Sequence, residues 1–336
     1  MKVLKNIWYQ VGWVDEIPES SHLARTVAGT AIVCFRDKEG HIVALRDRCA
    51  HKFAPLSSGR VCDGAIVCGY HGLAYGSGGL CTKNPHGAIP KRLVVDAFPV
   101  EERHRSIWVW LGDADKANVD LIPNLSFIDE TPEHAAVKGF LPTACNYQLG
   151  ADNILDLSHA DILHPTTLGG MMIASDMDIT EDDDTLCVTW SAKKVLTPPD
   201  FPQPFEGEVD SVISVKWFPP GLMVLSACFV PTGQEMKEDD YVTTLHNMVP
   251  ETDGTTNYLY CVTRRFELDN PYITESVRNT VQVAFVSEDK PMLEAQQKAI
   301  GNVDYADLKP VLLSIDAAGV KARRKLERLL REEAEV

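Results

Sequence analysis

No stretch of the 336-residue chain approaches the ~20 apolar residues that a bilayer-spanning helix needs. The longest apolar run, Leu222 to Val230, is already interrupted by Ser226. The opening residues, Met1-Lys2-Val3-Leu4-Lys5-Asn6, lack the apolar core and small-residue cleavage site of a secretory leader, so a cytoplasmic protein is expected. Positive charge is scarce: 32 Lys and Arg face 48 Asp and Glu, a formal net charge of −16. That imbalance argues against nucleic acid and anionic membranes as partners. The nine cysteines, an odd number scattered through a long chain, read as reduced thiols and exclude a disulfide framework. A phosphate-cradling fingerprint is missing too. Gly76-Ser77-Gly78-Gly79 has no strand–helix unit around it and reads as a hairpin turn. With no dinucleotide or flavin motif, any redox chemistry here needs electrons from a separate NAD(P)H-linked reductase.

What is present suffices for two domains or one large one, at 45% hydrophobic residues. Residues 1–115 read as short strands divided by turns, a small β-sandwich or barrel. Ala31–Arg36 and His41–Arg46 flank Asp37-Lys38-Glu39-Gly40, a hairpin signature. Ser106–Leu111, rich in β-branched and aromatic residues, is another strand.

Two loops of this region carry Cys49-Ala50-His51 and Cys68-Gly69-Tyr70-His71. Each arm offers one thiolate and one imidazole. Zinc fingers usually group two cysteines on one arm and two histidines on the other. A mixed pair on each of two arms is what a Rieske [2Fe–2S] cluster needs, two Cys on one iron and two His on the other. Neutral imidazoles in place of thiolates raise the cluster's potential. A structural zinc site is the competing use of the same residues. Cys62 and Cys81 fall outside the spacing.

A second constellation lies in Asp152-Asn-Ile-Leu-Asp-Leu-Ser-His-Ala-Asp-Ile-Leu-His-Pro165. The stretch reads as a helix that ends at Pro165. Asn153, Asp156 and His159, at i, i+3 and i+6, would share one broad face, and Ile154, Leu155, Leu157, Ile162 and Leu163 would pack inward. A slight unwinding at the end would bring His164 beside His159. Two such imidazoles with a carboxylate from elsewhere suit an open Fe(II) site. Imidazoles in satisfied polar pockets are the plainer alternative.

Together these motifs resemble the Rieske non-haem iron oxygenases over essentially the whole chain. Within that family the chain is similar to the homotrimeric branch that includes vanillate O-demethylase, dicamba monooxygenase and toluenesulfonate methyl-monooxygenase. Asn6-x-Trp8-Tyr9, His164-Pro165-Thr166-Thr167-Leu168-Gly169 and Ile315-Asp316-Ala317-Ala318-Gly319-Val320 add to the resemblance. Ala50 and Lys52 depart from it, standing where the family usually has Pro and Arg; neither is a ligand.

The resemblance implies an α+β chain, with an all-β Rieske domain over 1–115 and a helix-grip catalytic domain over 116–336. It implies that Cys49, His51, Cys68 and His71 hold the cluster. His159, His164 and Asp289, the last in Ser287-Glu288-Asp289-Lys290-Pro291, hold Fe(II). Asn153 stands near the iron without ligating it. Asp156 bridges His71 of one subunit to His159 of a neighbour, which requires a ring of subunits, a homotrimer. His246 matches a position that contacts the substrate carboxylate in the dicamba enzyme; a buried, hydrogen-bonded histidine is the alternative. The implied reaction uses O2 and reductase or ferredoxin electrons to hydroxylate a C–H bond of an aromatic substrate, by O-demethylation or methyl hydroxylation.

The remainder of the second domain reads as antiparallel strands over 185–190, 212–217, 222–230, 241–249 and 258–263. Glu181–Asp184 reads as a solvated turn, and Thr197–Pro204 as linker rather than a loop over the pocket. Met223, Leu225, Ala227 and Phe229 alternate and line either a pocket or the core; Arg264 and Arg265 read as solvated. Residues 279–298 read as a helix broken at Pro291, with Val281, Ala284, Phe285, Met292 and Gln296 on one stripe. Two other functions compete. A Rieske-type electron carrier would need only the first domain, and a zinc-stabilised binding module would contain no iron.

Overall fold

The computed structural model describes residues 2–202, 205–301, 303 and 307–335. The chain divides into two compact units, Met1–Asn124 and Leu125–Val336. The division falls after the 115/116 boundary expected from the sequence. The polar segment beyond 115 is tied back to the first unit, because Trp8 Nε1 donates to the Asn118 carbonyl at 2.8 Å and Arg103 to that of Val119 at 3.0 Å. Among the described residues no helix is long and apolar enough to cross a membrane.

The first unit is all β, in three small antiparallel sheets. Trp8–Trp13, Ser106–Trp110 and Val100–Arg103 form one; Trp8 and Trp110 face each other in register, rings 5.5 Å apart. The expected hairpin is present as Thr30–Arg36 with Ile42–Arg46, flanked by His22–Val27 and Ala97–Phe98. A third sheet, Arg60–Cys62, Ala65–Val67, Ala74–Tyr75 and Cys81–Lys83, presents the second Cys/His arm. Phe35, Leu45, Leu56, Ile66 and Tyr75 form the core, and the two thiols, Cys49 and Cys68, belong to it.

The second unit is built on one seven-stranded antiparallel sheet. Its strands are β1 (Val137–Thr143), β2 (Asp176–Glu181), β3 (Leu186–Val195), β4 (Val209–Phe218), β5 (Leu222–Pro231), β6 (Tyr241–Pro250) and β7 (Thr256–Arg264), in the order β1-β7-β6-β5-β4-β3-β2. The five long central strands coincide with those anticipated. The two edges were not anticipated, for reasons that suit edges. β1 contains Gly139 and Pro142, tolerated where one side of the ladder is open, and β2 is acidic.

Its longer helices are α1 (Tyr147–Leu155), α2 (Pro271–Val281), α3 (Lys290–Ile300) and α4 (Ala317–Ala334), with a π-helical segment, Gln282–Asp289, joining α2 to α3. α1 starts at an Asn146 cap whose side chain accepts from Gln148 N at 2.9 Å. α4 closes on α1 through Gly319, where a Cβ would stand 2.6 Å from Asp152 Oδ1, and through the Arg323–Asp152 ion pair. Lys321 and Lys325 pair with Glu181, and Arg328 with Asp184. The acidic turn taken as merely solvated is therefore the seat of α4.

Candidate metal centres and cavity

The two Cys/His arms are built alike. In the first, Cys49 N donates to Ala54 O at 2.8 Å and Phe53 N returns to Cys49 O at 3.0 Å. In the second, Cys68 N donates to Leu73 O at 2.8 Å and Gly72 N returns to Cys68 O at 3.0 Å. Closing each loop requires a left-handed residue four positions after the cysteine: Gly72 has φ +72° and Phe53 φ +59°. The second loop also packs on the 3₁₀ turn Leu56–Ser58 that follows the first, since a Cβ on Gly69 would stand 2.7 Å from Ser58 O. Both thiols are buried, whereas His51 is exposed, His71 half-exposed, and their rings are 4.6 Å apart. Tyr75 Oη lies 3.3 Å from Cys49 Sγ. Burial, then the Cys49 contact, pushes the phenol's pKa up, so it keeps its proton beside the sulfur. Desolvation first, then His51, His86 and Lys52, holds His71 below the ordinary imidazole range and favours its neutral, ligating form. Buried sulfur donors on one side and paired outward imidazoles on the other fit a Rieske cluster.

In the second unit the expected single helix is broken earlier than Pro165. α1 ends at Leu155; Asp156 is extended (φ −128°, ψ 92°), Leu157–His159 is one 3₁₀ turn and Ala160–Leu163 a short helix. Ile162, expected to pack, is 76% exposed as a result. The break turns both imidazoles the same way, with ring centroids 5.3 Å apart. The backbone carbonyl of Asp156, not its carboxylate, meets His159 Nδ1 at 2.6 Å; the carboxylate caps the next turn by accepting from Ser158 N at 3.0 Å.

Asp289 arrives from the π-helical segment. The π winding carries about one extra residue per turn, so the buried stripe runs Val281, Phe285, Asp289, Leu293. Met292 and Gln296, expected on the inner stripe of an ordinary helix, are exposed. Asp289 Oδ1 lies 3.2 Å from His164 Nε2 and 3.6 Å from His159 Nε2, and all three donor atoms fall within 4.8 Å of one another. Neighbouring ligands at ~2.1 Å from one ion stand about 3 Å apart, so the set fits a single metal with one open side. Asn153 Nδ2 reaches the same atoms, 3.1 Å from Asp289 Oδ1 and 3.3 Å from His159 Nε2.

Glu288, which the sequence did not single out, holds His164 Nδ1 at 2.7 Å. Its adjacency to Asp289 was the only available signal. Burial alone would lower the pKa of His164, but hydrogen bonds from Asp289 and Glu288 outweigh it and raise it. Gly169 completes the turn, its N donating to His164 O at 2.9 Å, and a Cβ there would stand 2.4 Å from Ala160 O.

The three donors open onto a cavity of about 150 Å³ between the sheet and α2. That is the size of a void able to hold one benzene ring. Leu225, Ala227 and Phe229 of β5 line it, with Val242, Thr244 and His246 of β6. Met223 is buried but lies outside the wall. Pro198, Asp200, Phe201 and Pro202 close one side, Phe201 against Phe229 at 4.3 Å between centroids, so this segment is a wall rather than a linker; Gln203 and Pro204 lie outside the described residues. His246 lines the cavity, is 2% exposed, and meets Tyr258 Oη through Nδ1 at 2.7 Å, as the reading of a buried, hydrogen-bonded histidine requires. Arg264 is buried rather than solvated, donating to Ala135 O and Thr274 Oγ1, and neither it nor Arg265 reaches the cavity.

Comparison with known proteins agrees with this geometry. Residues 7–98 match the Rieske [2Fe–2S] domain and residues 143–332 the vanillate O-demethylase oxygenase C-terminal domain. The toluene-4-sulfonate monooxygenase system iron-sulfur subunit of Comamonas testosteroni is 34% identical, with 98% of each chain covered. The oxygenase component of chloroacetanilide N-alkylformylase from Rhizorhabdus wittichii is 32% identical, over 98% of this chain and 96% of that one. The crystal structure of dicamba monooxygenase bound to 3,6-dichlorosalicylic acid superposes with a TM-score of 0.92 at 30% identity, over 99% of both chains. Two domain matches in chain order, relatives alike from end to end, and donor sets for two iron centres together mean that the chain belongs to the Rieske non-haem iron oxygenases, as the oxygenase component of a monooxygenase of the vanillate O-demethylase type.

Proposed function

We propose that this enzyme hydroxylates a C–H bond of a small aromatic substrate, removing an O-methyl group or oxidising an aryl methyl. The observation that carries the reading is the convergence of His159, His164 and Asp289 at the wall of an apolar cavity of one-ring size. In this reading Cys49 and Cys68 hold one iron of the cluster and His51 and His71 the other. His159, His164 and Asp289 hold Fe(II), which supplies O2 activation beside the substrate. The Asp156 carbonyl and Glu288 orient the two imidazoles through their Nδ1 atoms, and Asn153 steadies Asp289. The apolar walls exclude water and place the reacting carbon.

Electrons come from a separate reductase or ferredoxin, and the enzyme works in the cytoplasm. A homotrimer is part of the proposal. Asp156 is half-exposed, and its carboxylate has no partner in the described residues beyond Ser158 N. It is thus available to His71 of a neighbouring subunit. Relatives are named for an arylsulfonate and for a chloroacetanilide, so both charged and neutral arenes occur among them.

The test is His159→Ala and Asp289→Ala. Each should abolish product formation and lower iron from about three to about two per chain, leaving the cluster's visible spectrum in place. Loss of that spectrum together with activity would contradict two separate centres.

A further inference from the structure

A third segment of the first unit stands beside the two Cys/His arms. Resting on the reading of His71 as a cluster ligand, we propose that residues 84–88 form a third arm of the cluster site. In it His86 is a positioning residue: by donating Nε2–H to the His71 carbonyl it holds the second imidazole in place and raises the cluster's reduction potential.

In the second arm Gly72, at φ +72°, supplies the left-handed turn that closes the loop on Cys68. A glycine brings no side chain to hold its own peptide, and its backbone has the widest conformational freedom. The peptide left loose is the one joining His71 to Gly72, directly beside the ligand ring. Residues 84–88 grip it on both sides. Pro85 packs over Gly72, where a Cβ would stand 3.3 Å from Pro85 Cγ. His86 Nε2 lies 3.0 Å from the His71 carbonyl oxygen. A carbonyl can only accept, so Nε2 carries the proton and the imidazole is the donor. The two rings stand 6.2 Å apart at 76°, so His86 reaches the backbone of His71 without stacking on its ring.

The third arm is itself braced to aim that donor. Pro85 fixes one backbone dihedral. Asn84 Oδ1 accepts from His86 N at 3.0 Å, and Asn84 Nδ2 donates to Ala88 O at 2.7 Å, so one side chain spans the turn. The imidazole it presents is exposed, so burial of the ring does not account for its place. On reduction the cluster takes up one electron from the reductase and gains one negative charge. An N–H donated toward the ligand side favours that more negative state, and hydrogen bonds around a cluster are among the factors that set its potential. The paired rings of His51 and His71, 4.6 Å apart, are the neutral ligands that keep the potential high, so a displaced His71 would lower it too.

Anaerobic redox titration of the cluster-loaded enzyme at one pH tests this with His86→Phe and His86→Gln. Phenylalanine keeps a flat ring and loses the donor; glutamine keeps an uncharged N–H donor. His86→Phe should shift the oxidised-to-reduced equilibrium about tenfold toward the oxidised form, a fall of about 59 mV for one electron. His86→Gln should stay within about threefold of the wild type. Loss of the cluster from His86→Phe with retention in His86→Gln also supports the proposal. Potentials unmoved in both variants, equal shifts in both, or loss of the cluster from both overturn it. A wild type without the rhombic magnetic-resonance signal of a reduced Rieske cluster brings down the ligand reading and the third arm together. A wild type that gives the signal, with potentials unmoved in the variants, brings down the third arm alone.

Discussion

In the proposed iron site Glu288 acts through the ring nitrogen of His164 that faces away from Asp289. Its carboxylate accepts from His164 Nδ1–H at 2.7 Å, which leaves Nε2 free to ligate and makes the imidazole a stronger base. Glu288→Gln keeps an acceptor but removes the charge. Iron affinity should fall about 10- to 100-fold, read by metal titration, with the cluster spectrum unchanged. His246 has a different signature. Its folded pKa of about 4 lies below the unfolded imidazole value of 6.5. The unfolded chain therefore binds the extra proton first, and this contribution is complete above pH 6.5 and lost as pH falls toward 4. The loss is on the order of 3 kcal/mol across that window. Denaturant midpoints at several pH values should fall more steeply for the wild type than for His246→Gln. Parallel curves would mean that His246 takes up its proton at the same pH in the folded and unfolded states.

At the scale of elements, the cavity depends on a carboxylate acting as a latch. Asp161, on the short helix between His159 and His164, accepts backbone N–H groups from Gly170, Met171 and Met172 on Oδ1 and from Ile173 on Oδ2, at 2.7 to 3.0 Å. Burial would raise its pKa, but the four donors outweigh that and lower it. The stabilisation is present above the unfolded carboxyl value of 3.8 and is lost as pH falls through the lower folded one. Met172 lines the cavity, so the latch joins a wall to the helix that separates His159 from His164. Asp161→Asn should cost about 2 kcal/mol at neutral pH and loosen substrate binding with it, measured by thermal unfolding and probe affinity. The π-helical segment is the other element that matters. Pro291 has no N–H to give an ordinary helical turn, and Lys290 N–H instead reaches Phe285 O, the wider spacing that brings Asp289 inward.

For the whole molecule, the proposed intersubunit bridge places the test on electron transfer. Asp156→Asn keeps the cap on Ser158 N but removes the negative charge offered to a neighbouring His71. Oxidation of the reduced cluster by O2 with substrate should slow by an order of magnitude or more in rapid-mixing absorbance, with unchanged mass by light scattering. An unchanged rate in a trimer would place the electron route elsewhere.

The covalent order of the chain was enough for much that depends on near neighbours, though not for the break at Asp156 or the π winding before Asp289. Cys49-x-His51 and Cys68-x-x-His71 fall on two turns because the intervening residues close five-residue loops. The long strands announced themselves by alternation, and the weak edges β1 and β2 did not, since Pro142 and the acidic residues of β2 dilute the pattern. Asp289 entered the reading only by resemblance, because 125 residues separate it from His164 and nothing local distinguishes it from the other acids. Which carboxylate faces the histidines, that Glu288 backs one of them, and that Phe201 closes the cavity were decided by tertiary structure alone. A hydrogen bond or a cavity wall between distant segments has no period in the chain; it exists only once the sheet, the π turn and the wall loop have packed.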